Sequence, residues 1–415
     1  MYMCIDLKSF FASVECVMIG KDPMEYPLVV ADASRGQGAL CLAVSPALRK
    51  FGVKNRCRLF EIPDALYYDI AKPKMKKYIE YSGRIYQVYL RYFAKEDILP
   101  YSIDEMFIDI SGYQKLYKKE PTQLAKEVID DIMEDTGITA TAGVGTNMFL
   151  AKIAMDLIAK KNESHIGYLD EELFREKLWQ HRPITDFWQI GKGIARRLEA
   201  RGLTCLEDVA HYPEKYLYKE FGINARYLID HAWGRESATM EQIKGYEPQT
   251  HSFNSSQILM RDYSFDEARV VIKEMVEQLS LKLILSDKAT RVIYVGVGYS
   301  KDIALPSGAS QKLSRGMNTY SDLVKEVLRL YDSTTYREIP IRRLAISFGN
   351  VASTQFEQLD LFVENEKVDR ERKLQMAMND IKQRYGKNAI YRGMSLMECA
   401  TGRERNGLIG GHNAG

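Results

Sequence analysis

The sequence predicts an α+β protein of several domains, and three observations carry that prediction. The chain has 415 residues, more than one hydrophobic core usually fills, so two to four domains are expected. Short β-like apolar runs alternate with stretches of helical period twice, once before residue 170 and once after residue 250. Between them, 171–237 reads as helices joined by short loops. An apolar content of 46% with 27% charge is ordinary for a globular chain.

Taken in order, Met1 to Asp6 reads as a buried strand, followed by a helix whose first turn carries Ser9, Phe10 and Phe11. Residues 21–77 alternate apolar runs, such as Leu28-Val29-Val30-Ala31, with basic turns, as a small α/β insertion does. Ser45-Pro46 is a helix start, with Ser as N-cap and Pro at the first helical position. It sets Arg49 on the first turn, where a helix N-terminus and a guanidinium together make a phosphate site. Lys74 to Ala94 has the spacing of a long helix, and Ile98 to Ile110 that of a hairpin with Asp104 and Glu105 at its turn. A helix over 122–136, a strand over 137–145 and a helix over 147–160 complete a strand-helix-strand-strand-helix-strand pattern of ferredoxin-like type.

In 171–237 the central run is Gln189-Ile190-Gly191-Lys192-Gly193-Ile194-Ala195-Arg196-Arg197-Leu198. A Gly-x-Gly turn that opens a helix leaves backbone N–H groups bare to a phosphate, and three basic residues add charge. A tight helix connection has the same appearance. Residues 238–250 lack periodicity and read as a linker. Beyond it a second β-α-β-β-α-β unit is expected, with strands near 252–259, 291–299, 311–313 and 341–348 and helices at 265–286 and 321–331. Residues 364–386 read as a charged amphipathic helix, and the Gly-rich 406–415 as a mobile tail.

The net charge of +2 announces no nucleic-acid partner, but its distribution does more. From Arg35 to Lys77 there are ten Lys or Arg against three acids, a candidate phosphate-facing surface. Six cysteines without a C-x-x-C and six histidines without an H-E-x-x-H offer zinc no evident site. Absence of a long apolar run and of a basic leader points to a cytoplasmic protein without a membrane partner.

Adjacent carboxylates on a regular strand point to opposite faces, so Asp104 and Glu105 can serve one ion only from a turn. A solvated hairpin turn would carry the same pair. The third acid, Asp6 at a strand end, makes a hard-oxygen set of the kind that binds Mg²⁺ together with a substrate's phosphates. The chemistry indicated is two-metal phosphoryl or nucleotidyl transfer.

Asp6-x-x-x-Phe10-Phe11-Ala12-x-Val14-Glu15, Arg49-Lys50-Phe51-Gly52-Val53, Ser102-Ile103-Asp104-Glu105 and Ala142-Gly143-Val144-Gly145 leading to Ala151-Lys152-Ile153-Ala154 stand in a fixed order. In that order and spacing the first 350 or so residues resemble a Y-family translesion DNA polymerase of the bacterial UmuC-like branch. The resemblance implies a right-hand polymerase: a ferredoxin-like palm from 1–20 and 78–170, small fingers at 21–77 and a helical thumb with a helix-hairpin-helix at 171–237. After the 238–250 linker it implies an α/β little finger at 251–350, then a C-terminal segment, 351–415.

By the same resemblance Asp6, Asp104 and Glu105 are catalytic, and with Leu7 they hold two Mg²⁺ ions. Phe10, Phe11, Arg49 and Lys160 would meet the nucleotide, Phe11 as a steric gate against a 2′-hydroxyl, and Gly191, Lys192 and Gly193 would meet DNA. Ala43 and Pro46 replace the Thr and Tyr that many relatives place on the triphosphate, and Lys160 aligns with a triphosphate-binding Lys of the family with the register shifted by one and Lys161 where a Pro usually follows. Gln358-Leu359-Asp360-Leu361-Phe362 resembles the pentapeptide by which bacterial polymerases bind the sliding clamp, with Leu361 and Phe362 as apolar anchors. Expected partners are primer-template DNA, dNTP and the clamp, and the protein is expected to be monomeric. A palm-type nucleotidyl cyclase and a non-catalytic DNA-binding repair factor are the alternatives; the first needs no strand clamp, the second no complete acid set.

Overall fold

The computed structural model describes residues 1–248, 251–301, 303–354 and 365–415. They form two compact units, Met1–Tyr246 with His412–Gly415, and Glu247–Gly411. The expected clamp pentapeptide, 358–362, lies outside the described residues.

In the first unit β1 (Tyr2–Leu7) is the middle of a five-stranded sheet, and its run Met3-Cys4-Ile5 is fully buried because both faces are covered. The helix α1 (Phe10–Met18) follows. A small sheet of β2 (Leu28–Val30), β3 (Ala43–Val44) and β4 (Asp69–Ala71) then encloses its own core of Val29, Cys41, Val44, Leu48 and Leu59. Between β3 and β4, α2 (Pro46–Arg49) is a single turn capped by Ser45, whose hydroxyl accepts from the Leu48 N–H. So short a helix has too little dipole to draw a phosphate, which leaves the charge of Arg49 as the only basis of the expected helix-terminus site.

The long helix α3 (Met75–Tyr92) leads to β5 (Ile98–Pro100) and β6 (Glu105–Asp109). After α4 (Tyr113–Tyr117) and α5 (Pro121–Thr136), Gly137 closes α5 in a left-handed conformation, so the next strand, β7 (Ala140–Gly145), starts three residues later than expected. The order β5-β6-β1-β7, with β1 antiparallel to both neighbours, is the ferredoxin-like arrangement, and β8 (Ile166–Leu169) extends it parallel to β7.

The expected continuous helix over 147–160 is not continuous. Here α6 (Met148–Ile153) passes into a π-helical turn, Ala154–Ile158, and a 3-10 turn, Ala159–Lys161. A π-turn holds one more residue than an α-turn. Past it, Lys160 stands 3.5 Å from the Asp6 carboxylate. The glycines of β7 make room for this segment: a Cβ on Gly143 would collide with the backbone of Ala151 and Met155, and one on Gly145 with Leu150 and Ala151.

Helices α7 (Glu171–Leu178), α8 (Lys192–Glu199), α9 (Leu206–His211), α10 (Glu214–Phe221) and α11 (Ala225–Ala232) share a core with Phe149 and Ile153, among them Phe174, Phe187, Leu198 and Leu217. The short α12 (Met240–Lys244) ends the unit's main run.

The second unit is the expected second β-α-β-β-α-β array: β9 (His251–Tyr263), α13 (Phe265–Leu285), β10 (Lys288–Tyr299), β11 (Ser307–Met317), α14 (Tyr320–Thr334) and β12 (Ile341–Ser353). Its strand order, β11-β10-β12-β9, puts the second and fourth strands in the middle, whereas the first unit's sheet has the first and third there. α13 opens with a capping box in which Ser264 accepts from the Glu267 N–H and Glu267 from the Ser264 N–H. α15 (Asn365–Tyr385) and α16 (Gly402–Arg405) complete it. Glu274 of α13 is buried at no cost in unmet polarity, because it accepts from Ser395 Oγ at 2.6 Å and from the N–H groups of Thr401 and Gly402, each at 2.8 Å.

The last residues are held rather than loose. Within the first unit the Lys76 N–H donates to the Ala414 carbonyl at 2.9 Å, and Asn413 Nδ2 to the Pro73 carbonyl at 3.0 Å. No helix among the described residues is long and apolar enough to cross a membrane.

Candidate active site

A cavity of about 690 Å³ opens in the first unit where β1 and the β5–β6 turn end. The sequence-predicted Asp6, Leu7, Phe10, Phe11, Arg49, Asp104 and Lys160 all line it. So do Lys8, Lys50 and Arg56, which sequence reading missed as individuals, although Lys50 and Arg56 stand in the basic stretch from Arg35 to Lys77. Five cations against two carboxylates leave the walls an excess of three positive charges, which suits a polyphosphate. Burial and the like charges of Arg49 and Lys50 hold the Lys8 ammonium below its ordinary range.

The acids come from a register that the strands impose. Asp6 lies directly opposite Glu105 in the β1–β6 ladder, so the two share a face. Asp104 stands one residue before β6 in the turn, its carboxylate accepting from Ser102 Oγ at 2.6 Å, and its carbonyl accepts from the Leu7 N–H. Asp6 and Asp104 line the cavity. Glu105 does not: it is 7% exposed and sits beneath the rim, where Lys152 Nζ reaches both of its oxygens at 2.8 Å and Cys4 Sγ donates at 3.3 Å.

Lys152 also reaches Asp156 at 3.0 Å, while Lys160 bridges Asp156 at 2.7 Å and Asp6 at 3.5 Å. Burial pushes the Asp6 carboxyl up to about 6; Lys160 opposes that shift, and the charges of Asp104 and Glu105 add to it. Burial works against the charge of Lys152, but Cys4, Asp156 and Glu105 around it outweigh that and raise it. Lys160 is raised in the same way, by Asp6 and Asp156 against its burial.

Among the described residues no three His, Cys, Asp or Glu side chains form a ready cage for a metal ion. The donors present nonetheless fit Mg²⁺, which takes one or two carboxylates and completes its shell with water and substrate phosphates. Ser9 supports an external ligand. It caps α1 in a left-handed conformation, at φ 49°, lines the cavity, and its buried Oγ has no hydrogen-bond partner among the described residues.

Phe10 and Phe11 diverge. Phe10 is 2% exposed in the core of the first unit, whereas Phe11 is half-buried and stacks on Tyr78 with ring centroids 4.4 Å apart. Ala43 and Pro46 form apolar wall. Farther along the chain, Gly191 caps α8 and has open space around it, as does Gly193, with Lys192 and Arg196 exposed beside them. Arg197 is withdrawn from that surface: Glu220 pairs with it at 2.5 Å and its guanidinium lies 4.3 Å from the Phe221 ring.

A ferredoxin-like sheet with acids at its strand ends and a basic cavity above them is the arrangement of a palm-type nucleotidyl-transfer enzyme. Comparison with known proteins narrows this. The impB/mucB/samB family profile matches residues 5–156, and the profile of that family's C-terminal domain matches 250–361. The protein named UvrX of Bacillus subtilis (strain 168) is 35% identical over 99% of this chain and 97% of its own. DNA polymerase IV 2 of the same organism is 31% identical over 98% and 97%. A solved Y-family DNA polymerase chimera of Dbh and Dpo4 shares the fold, with a TM-score of 0.62 at 24% identity over 85% of this chain and 99% of that one. The chain belongs to the impB/mucB/samB family, that of the Y-family DNA polymerases.

Proposed function

We propose that this protein extends a DNA primer past damaged template bases, with the cavity above Asp6 and Asp104 as its nucleotide site. It is a DNA-directed DNA polymerase of the translesion type, acting in DNA damage tolerance on primer-template DNA and dNTP. Polymerases of this family work with divalent metal ions. The nucleotidyl-cyclase and non-catalytic alternatives have no support in that membership.

The observation that carries the site assignment is the meeting of carboxylates, cations and an aromatic wall in one cavity. Asp6, the Leu7 carbonyl, Asp104 and Glu105 would hold two Mg²⁺ ions, whose chemistry is to lower the pKa of the primer 3′-hydroxyl and to neutralise the departing pyrophosphate. Arg49, Lys8, Lys50, Arg56 and Lys160 bind the triphosphate and take up charge as pyrophosphate leaves, which offsets the donors lost at Ala43 and Pro46. Ser9 Oγ is free to donate to a phosphate oxygen. Phe11 packs under the sugar. Gly191, Lys192 and Gly193 present N–H groups and charge to a DNA phosphate without regard to sequence. The segment Gln358 to Phe362 tethers the enzyme to a sliding clamp.

Primer extension over a template with one abasic site, in Mg²⁺, tests this reading. Wild type is expected to reach the template end. Asp104→Asn should lower the rate by on the order of a thousandfold or more, as loss of a metal-holding charge does, while primer-template affinity holds, because phosphate contacts elsewhere supply it. Extension by Asp104→Asn at the wild-type rate would remove the assignment.

A further inference from the structure

Asp156 lies outside the cavity, and the site described above gives it no part, yet it is the hub of the charges beneath it. Its two carboxylate oxygens are divided between two lysines: Oδ2 takes Lys152 at 3.0 Å and Oδ1 takes Lys160 at 2.7 Å. Each of those lysines has a second acceptor that belongs to the candidate metal-holding set, Glu105 for Lys152 and Asp6 for Lys160. The lysine side chains thus stand where an external cation would otherwise balance Glu105 and Asp6.

We infer that Asp156 is a positioning residue that receives Lys152 and Lys160 when Glu105 and Asp6 turn to bound divalent cations; this rests on the proposed function. The geometry suits a hand-over, because both lysines already touch Asp156 and need only release the other carboxylate. Without such an acceptor, release would strand the ammonium of Lys152, whose side chain is 10% exposed, and an unpaired buried charge is costly. Spacing supports it further. Lys152, Asp156 and Lys160 recur every four residues across the π-turn, so one face of one segment carries all three. Cys4, donating to Glu105 from below, holds the carboxylate in reach during the exchange. Asp156 itself binds no metal and no substrate.

The test reads Mn²⁺ binding rather than synthesis, by the electron-spin signal of free Mn²⁺ with a dideoxy-terminated primer-template and dNTP, so that no chemistry occurs. Asp156→Asn should weaken Mn²⁺ binding about tenfold, the usual effect of losing a residue that orients metal ligands. Asp156→Glu, which keeps the charge, should bind within about twofold of wild type. Adding Lys152→Gln to Asp156→Asn should return most of the loss, because the cation that competes for Glu105 has gone. Mn²⁺ binding by Asp156→Asn equal to wild type, or no recovery in the double variant, overturns the inference. If Asp156→Asn does not fold, Lys152→Gln alone decides: severalfold tighter Mn²⁺ binding supports the exchange, and unchanged or weaker binding refutes it. Asp104→Asn serves as the control for the underlying reading. If that variant binds Mn²⁺ like wild type, the metal assignment of the cavity itself fails; if it loses binding while Asp156→Asn does not, only the exchange fails.

Discussion

Phe11 is fixed from behind. Its ring lies against Tyr78 at 4.4 Å with planes 15° apart, and the Tyr78 hydroxyl donates at 2.8 Å to the buried Glu15, which also pairs with Lys74. A ring so held cannot retreat from a 2′-hydroxyl, which is what a steric gate requires. Phe11→Ala should therefore cut the ratio of kcat/KM for deoxy- over ribonucleotides by at least roughly tenfold, the discrimination that one steric group gives a pocket. Single-nucleotide insertion assays with paired dNTP and rNTP measure that ratio. An unchanged ratio would make Phe11 a core residue. At this scale the positions of Asp6, Asp104 and Phe11 around one cavity were legible in the sequence, because each sits at a strand end or helix start whose period is local. The true partner of Glu105 was not: Lys152 lies 47 positions away and is brought there only by the packing of α6 on the sheet.

That packing belongs to the elements. Gly143 and Gly145 leave β7 bare, so that α6 and the π-turn lie flush against its backbone and deliver Lys152, Asp156 and Lys160 to the ends of β1 and β6. Gly143→Ala inserts a methyl where the Ala151 carbonyl and Met155 N–H stand, with backbone rather than a flexible side chain to displace. Overpacking of that kind costs about 2 kcal/mol, a fall of roughly 4–8 °C in the melting of a unit of this size. Differential scanning calorimetry on wild type and variant checks it, and a shift under about 1 °C would mean that the strand and helix are free to part. The helical period of 147–160 was readable, but a π-turn leaves no mark in hydrophobic periodicity, since one extra residue in fourteen is lost in the spacing. In the same way Ser45-Pro46 correctly signalled a helix start but not that the helix would stop after one turn.

At the scale of the whole molecule, the chain enters its second unit after Tyr246 and returns to the first at His412, where the terminal residues bond to Pro73 and Lys76. The two β-α-β-β-α-β arrays were legible because their periods change cleanly at linkers. Their different strand orders were not, because order is set by which edges pair and not by any local period. Within the first unit there are separate hydrophobic clusters, one around Val29 and Leu48 and another around Phe174 and Leu198. The proposed recruitment to a sliding clamp would rest on Gln358-Leu359-Asp360-Leu361-Phe362. In a docked pentapeptide a few apolar anchors carry most of the binding energy, and tethering acts by raising the local concentration of enzyme at the primer end. The quantity to compare is synthesis with loaded clamp divided by synthesis without it, on the same circular primer-template. Wild type is expected to show a ratio of on the order of a hundred, within the range that effective concentration gives a tether. Leu361→Ala combined with Phe362→Ala should bring the ratio close to one. A double variant stimulated as strongly as wild type would mean that the tether lies elsewhere in the chain.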